Sequence, residues 1–286
     1  MRFEKMINGS RSGDKLMETL LWRGFAVVPH RDGLLLHECS HEKDVATLKK
    51  CGLVVQRFER PGVKHRFWIP PQLTPKSLMR RIFDLAACNG MTGMPPIDES
   101  FATFKTNNYD TDLYVEGLDV GVALLVKGLN QAGVFTVMSC DGHEEEPPKI
   151  WLRTSWDYLW CQYVLHQVWP QARLRHPWAR LRRGRPSCIN TSAPVPRPSV
   201  IWKFVDAPRY GWMRYFFTWE WPSYYLDESA STRKLIQAFA RELLSERTST
   251  FLLQQRAAIA CEGDLLDLFT RTRIETELLS LSAKHY

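Results

Sequence analysis

The sequence predicts an α+β protein, with a small N-terminal α+β module over residues 1–70 and a larger α/β sandwich domain over 71–286 that ends in helices. Three observations carry that expectation. Short apolar runs alternate with amphipathic stretches at helical spacing. Pro- and Gly-bearing clusters such as RDG, PGVKH and PPQLTPKS separate them. The chain has 286 residues, 44% hydrophobic and 24% charged, an ordinary globular balance with room for a sizeable core.

Taken in order, SGDKLMETLLWRG reads as a short helix with Leu16, Leu20 and Leu21 on one side and Gly24 as its stop. FAVVPH is a strand, RDG a turn and LLLHEC the returning strand. Ser40 is placed to cap a second helix, HEKDVATLKKCG, whose acidic first turn and lysine-rich last turn suit the helix dipole. LVVQRFER, the turn PGVKH and RFWIPP form a second hairpin that completes the module. PPQLTPKS then punctuates the chain, LMRRIFDLAACNG is a helix, and GMTGMPPIDESFATFKTNNYDTD is loop-rich.

From Leu118 the pattern sharpens. LDVGVALLVKGLNQAG is an amphipathic helix ending at Gly133, VFTVMS and PKIWLRTS are strands, and SWDYLWCQYVLHQVW is a helix with Ser155 as its cap. An arginine-rich loop (171–185) and a proline-rich loop (186–198) follow. SVIWKFVD and WMRYFFTWEW are aromatic strands, and C-terminal helices near 229–246 and 250–282 close the chain. No internal repeat or low-complexity tract is visible.

Composition excludes several classes. The longest apolar stretches fall far short of the ~20 residues that span a bilayer, and the first residues have no apolar core like that of a signal peptide, which predicts a cytoplasmic protein without membrane contact. Seven cysteines, widely spaced and without a CxxC pair, point to reduced thiols, most of them buried, and away from a disulfide scaffold or zinc ribbon. A net charge of +7 favours an anionic partner. The charge is concentrated: QARLRHPWARLRRGR carries Arg173, Arg175, Arg180, Arg182, Arg183 and Arg185, with no acidic residue and with Trp178 among them. Such a run is either a solvated loop or a nucleic-acid contact, because arginine pairs with phosphate and stacks on bases.

Two motifs carry candidate chemistry. HECSH at 37–41 matches H-E-x-x-H in form, with His37 and His41 as the metal ligands of a zinc hydrolase and Glu38 beside them. That chemistry needs both histidines on one helical face, yet His37 reads as the end of a strand and His41 as the start of the next helix. Arg60 and His65 match an R-x4-H ribonuclease spacing, which Pro61-Gly62 rules out by breaking the required helix. The stronger candidate is VFTVMSCDGH, a strand that ends in Cys140, Asp141, Gly142 and His143. Functional residues commonly sit on such loops above a rigid scaffold. Gly142 allows a sharp turn, so Cys140 and His143 can converge as nucleophile and base or as half of a divalent transition-metal site. The alternative is a plain Asp-Gly turn with a buried cysteine. WMRYFFTWEWPSYY is either core packing or a stacking platform for bases. There is no P-loop, deaminase PCxxC or G-x-S-x-G elbow.

LLVKGLNQAGVFTVMSCDGH resembles a helix-strand-turn segment of uncharacterised phage and bacterial proteins with G-x-x-T-x-x-S-C-x-G-H. More loosely it is similar to the T-x-S-S-C-S-G-R segment of the wybutosine tRNA-modification methyltransferase family, through Thr136, Ser139, Cys140 and Gly142, with His143 in place of the arginine. The resemblance covers about 25 of 286 residues and implies a binding or catalytic corner acting on RNA. The expectation is therefore a nucleic-acid-binding protein that modifies or cleaves RNA or DNA at Cys140, Asp141 and His143. The alternatives are a non-enzymatic adaptor that meets a protein partner through its aromatic strands or C-terminal helices, and a zinc hydrolase built on residues 37–41.

Overall fold

The computed structural model describes residues 15–30, 33–37, 40, 42–58, 67–85, 113, 115–142, 146–168, 201–207, 209, 215–220 and 229–262. Among them the fold is α+β, as the sequence predicts. The first half runs α1 (Lys15–Arg23), β1 (Val27–His30), β2 (Gly33–Leu36), α2 (Glu42–Cys51), β3 (Gln56–Arg57), β4 (Phe67–Ile69) and α3 (Lys76–Phe83). A 3-10 turn at Val115–Gly117 leads to α4 (Ala123–Gln131), β5 (Thr136–Cys140), β6 (Lys149–Leu152), α5 (Ser155–Val168), β7 (Ile201–Asp206), β8 (Tyr215–Glu220), α6 (Ser229–Leu244) and α7 (Glu246–Glu262).

Some details differ from the sequence expectation. Ser40 does not cap α2: its hydroxyl faces the Ala26 carbonyl at 3.5 Å, and the helix starts two residues later, at Glu42. The strand expected over LVVQRFER shrinks to Gln56–Arg57, because the backbone of Val54 pairs with the side-chain amide of Gln72 (3.0 and 3.1 Å) and not with a strand. Thr154, and not Ser155, caps α5, with the Asp157 amide donating to its hydroxyl at 3.1 Å. The final helix begins at Glu246, ahead of the expected position near residue 250.

The chain contains a structural repeat that the sequence reading missed. Helix, strand, strand, helix, strand, strand, helix occurs twice, as α1 to α3 and as α4 to α6. The strand order β1-β2-β4-β3 recurs as β5-β6-β8-β7, with every neighbour antiparallel. In each half the first helix packs on the third. Each first helix ends in a glycine of positive φ, Gly24 (101°) and Gly133 (81°). The next amide then bonds five residues back, Phe25 to Leu20 at 2.8 Å and Val134 to Leu129 at 2.9 Å. The matching residues are Leu20, Gly24, Val28, Asp32 and Gly33 against Leu129, Gly133, Val137, Asp141 and Gly142. Equal spacing within otherwise unlike sequence is a weak signal to read.

One hydrophobic cluster runs from Leu20 and Leu36 through α4 to Ile150, Phe217 and Leu243. Helix α4 is its axis. It reads as amphipathic, but every residue from Ala123 to Asn130 is buried, since α1, β5 and α6 all lie against it. Gly128 lets α6 approach: a Cβ there would lie 2.9 Å from the Ala240 carbonyl oxygen. Burying α4 takes Lys127 out of water, and Asp44 of α2 answers it. Nζ lies 2.7 Å from Asp44 Oδ2, both side chains are 1% exposed, and the Val115 amide donates to Asp44 Oδ1 at 2.7 Å.

The second half has its own buried carboxylate. Asp157 accepts the Thr154 hydroxyl (2.7 Å) and the Phe135 amide (3.0 Å), fastening the start of β5 to the start of α5. Burial outweighs these bonds and pushes its carboxyl up to about 6. A folded pKa above the unfolded value stabilises the fold fully below the unfolded value, near 4, and that contribution is lost as pH rises through about 6. Asp157→Asn removes the titration. Its stability relative to wild type is therefore expected to fall by about 2–3 kcal/mol between pH 7 and pH 4, the wild type gaining on acidification. Urea unfolding of both proteins across that range checks this, and a pH-independent difference would refute it.

Candidate functional site

Helix α4 runs away from its start, Gly133 turns the chain back, and β5 returns alongside. A nine-residue helix rises about 13 Å and a five-residue strand spans about 17 Å, so the end of β5 comes back to the beginning of α4. Asp119, whose carbonyl receives the Ala123 amide at 3.2 Å, thus meets Cys140 and Asp141. The ligand-type atoms of Asp119, Cys140 and Asp141 lie within 4.8 Å of one another, and all three residues are half-buried. The Asp141 amide faces Asp119 Oδ2 at 3.4 Å, and the Gly142 amide faces Cys140 Sγ at 3.4 Å.

Two local features aim this corner. β5 is an edge strand, and its register slips between Thr136 and Met138, a bulge of the kind that redirects the side chains beyond it. Gly142 then takes φ 79°, where a Cβ would run into the Glu146 carbonyl oxygen, so only glycine fits. Its own carbonyl receives the Glu146 amide at 2.9 Å. Exposed Glu146 pairs with Lys149, whose hydrogen bond and charge hold the Glu146 carboxyl below its ordinary range.

The structure brings Cys140 and Asp141 together, while His143 lies outside the described residues. Arg173, Arg175, Arg180, Arg182, Arg183 and Arg185 lie outside them too, as does His41. His37 is buried directly after β2 and Ser40 is not helical, so HECSH does not form the single helix that H-E-x-x-H chemistry uses. Asp119 is the residue the sequence reading missed. Its signal was an acid just ahead of an apolar helix whose following strand must return antiparallel. Cys51, Cys140 and Cys161 are free thiols, and Cys51 and Cys161 are buried with their thiols pushed up by desolvation.

The two halves differ at this point. The first hairpin closes between His30 and Gly33 over residues 31–32, whereas the second closes between Cys140 and Lys149 over residues 141–148. The first strand has no bulge. No described helix is long and apolar enough to cross a membrane. Comparison with protein-family models, with curated proteins and with solved structures gave no match.

Proposed function

We propose that the protein binds nucleic acid and acts on it, by modification or cleavage, at the corner of Asp119, Cys140, Asp141 and His143. One observation carries the reading: the first hairpin folds with a two-residue turn, so the bulge and long loop of the second are not required by the architecture. A departure from a repeated scaffold that gathers a thiol and two carboxylates supports a chemical role for this corner. The thiol serves as nucleophile with His143 as base, or thiolate and carboxylates hold a divalent transition metal of the zinc class. The six arginines between Arg173 and Arg185 supply the phosphate contacts. The free thiols suit a reducing cytoplasmic setting.

The test is binding of a labelled single strand by anisotropy across a salt series. Changing Arg180, Arg182 and Arg183 to Gln is expected to weaken binding and to lower the magnitude of the log–log salt slope by about 2, at about 0.7 for each lost phosphate contact on a single strand. Unchanged affinity and slope would remove the arginine segment from the interface. A second reading, an adaptor without enzymatic activity, draws on Phe251 and Leu253 of α7, which are 44% and 40% exposed. A chain that binds no oligonucleotide and processes none would favour it.

A further inference from the structure

The second sheet has two unlike faces. Residues paired across antiparallel strands point to the same side, and successive pairs alternate. Ile150, Leu152, Phe217 and Trp219 face the helices and are at most 2% exposed. The alternate pairs build two rows on the opposite face, each crossing all four strands. One is Met138, Trp151, Phe216 and Val205, and the other is Cys140, Lys149, Thr218 and Lys203. Apart from buried Thr218, each member is partly exposed.

We infer that this face is a platform for single-stranded nucleic acid, with Trp151 and Phe216 stacking on bases and Lys149 and Lys203 facing phosphates. The inference rests on the nucleic-acid reading above and gives it a surface. The aromatic pair stands on the two central strands, its ring centroids 5.8 Å apart and tilted by 37°. Two residues along a strand separate the rows by about 7 Å, so π-faces and cations run side by side, as a strand of stacked bases on a charged backbone requires. These two rows contain no carboxylate, and the next pair on the same face, Ile201 and Glu220, places one acidic position at the end of β8. Glu146, the partner of Lys149, is in the turn beyond. The lysine row ends at Cys140, so a strand lying along it reaches the corner. A protein partner fits this face less well, since two lysines, Lys149 and Lys203, stand beside the aromatic pair and oppose the burial of a dry apolar contact.

The experiment uses the full chain with fluorescent oligo(U) and oligo(dT), which separates RNA from DNA. Trp151→Leu and Phe216→Leu keep an apolar side chain at each position and remove the stacking face. Each is expected to weaken binding about 5- to 150-fold with an unchanged salt slope, in protein that still unfolds in one cooperative transition. Lys203→Gln is expected to lower the slope magnitude by about 0.7. A 5-iodouracil oligonucleotide cross-linked to the wild-type chain is expected to map to β6 or β8, an arm that needs no variant to fold. Wild-type binding that survives both Leu variants, with cross-links elsewhere, overturns the platform and leaves the nucleic-acid reading intact. No binding of either oligonucleotide overturns both.

Discussion

Lys127→Met is expected to cost about 3–5 kcal/mol and to lower the melting temperature by roughly 10 °C or more. The cost does not come from losing an attraction in water. Asp44 is 1% exposed, and without Lys127 its Oδ2 loses its 2.7 Å partner in a place that water does not fill. An unpaired charge kept out of solvent is far more costly than the pair was stabilising. The double change Lys127→Met with Asp44→Asn is expected to recover much of the loss, because a neutral amide oxygen still accepts the Val115 amide that now donates at 2.7 Å. Thermal unfolding of the three proteins decides it. If Lys127→Met melts within about 2 °C of wild type, the pair is not what holds α2 to α4.

Cys140→Ala is expected to reduce processing of a bound oligonucleotide at least about 100-fold while moving stability by under about 1 kcal/mol. Both halves of that statement come from placement. Cys140 is half-buried at the last position of an edge strand, so losing its sulfur opens no core cavity. The same sulfur converges with two carboxylates, so under the proposed function its loss removes a nucleophile or a metal ligand. Asp119→Asn and His143→Ala, tested on the same preparation, are expected to follow it, with binding affinity retained in all three. Full processing by Cys140→Ala would reduce the corner to a turn.

Much of this architecture was legible in the sequence, and the failures share a cause. Strands β1, β2, β5 to β8 and helices α1 to α3, α5 and α6 fall close to where period and punctuation place them. Helix α4 misled because its character is set by what surrounds it: Lys127 and Asn130 look like a polar face until Asp44 and Thr136 are found beside them. The duplication was legible in principle, since Leu-x3-Gly-x3-Val-x3-Asp-Gly occurs twice. At the corner, Cys140 and Asp141 announced themselves by sequence adjacency. Asp119, some twenty residues earlier, needed the antiparallel return of β5 to become their neighbour.

Arg23 and Asp44 also fix an order of events during synthesis. Arg23 is fully buried in α1 and donates to the Leu118 carbonyl at 3.0 Å, while Asp44 waits for Lys127. Asp44 is therefore a buried charge of the first repeat whose charged partner is encoded in the second, whereas Arg23 also donates to the Leu85 carbonyl at 2.8 Å, just after α3. A ribosome adding about 5–20 residues per second needs roughly 2–10 s to pass from the end of α3 to the end of α4. Through that interval the nascent first half lacks the cation that pairs with Asp44, and burying that carboxylate alone is costly. The first core is therefore expected to finish packing only once α4, the opening helix of the second repeat, has emerged.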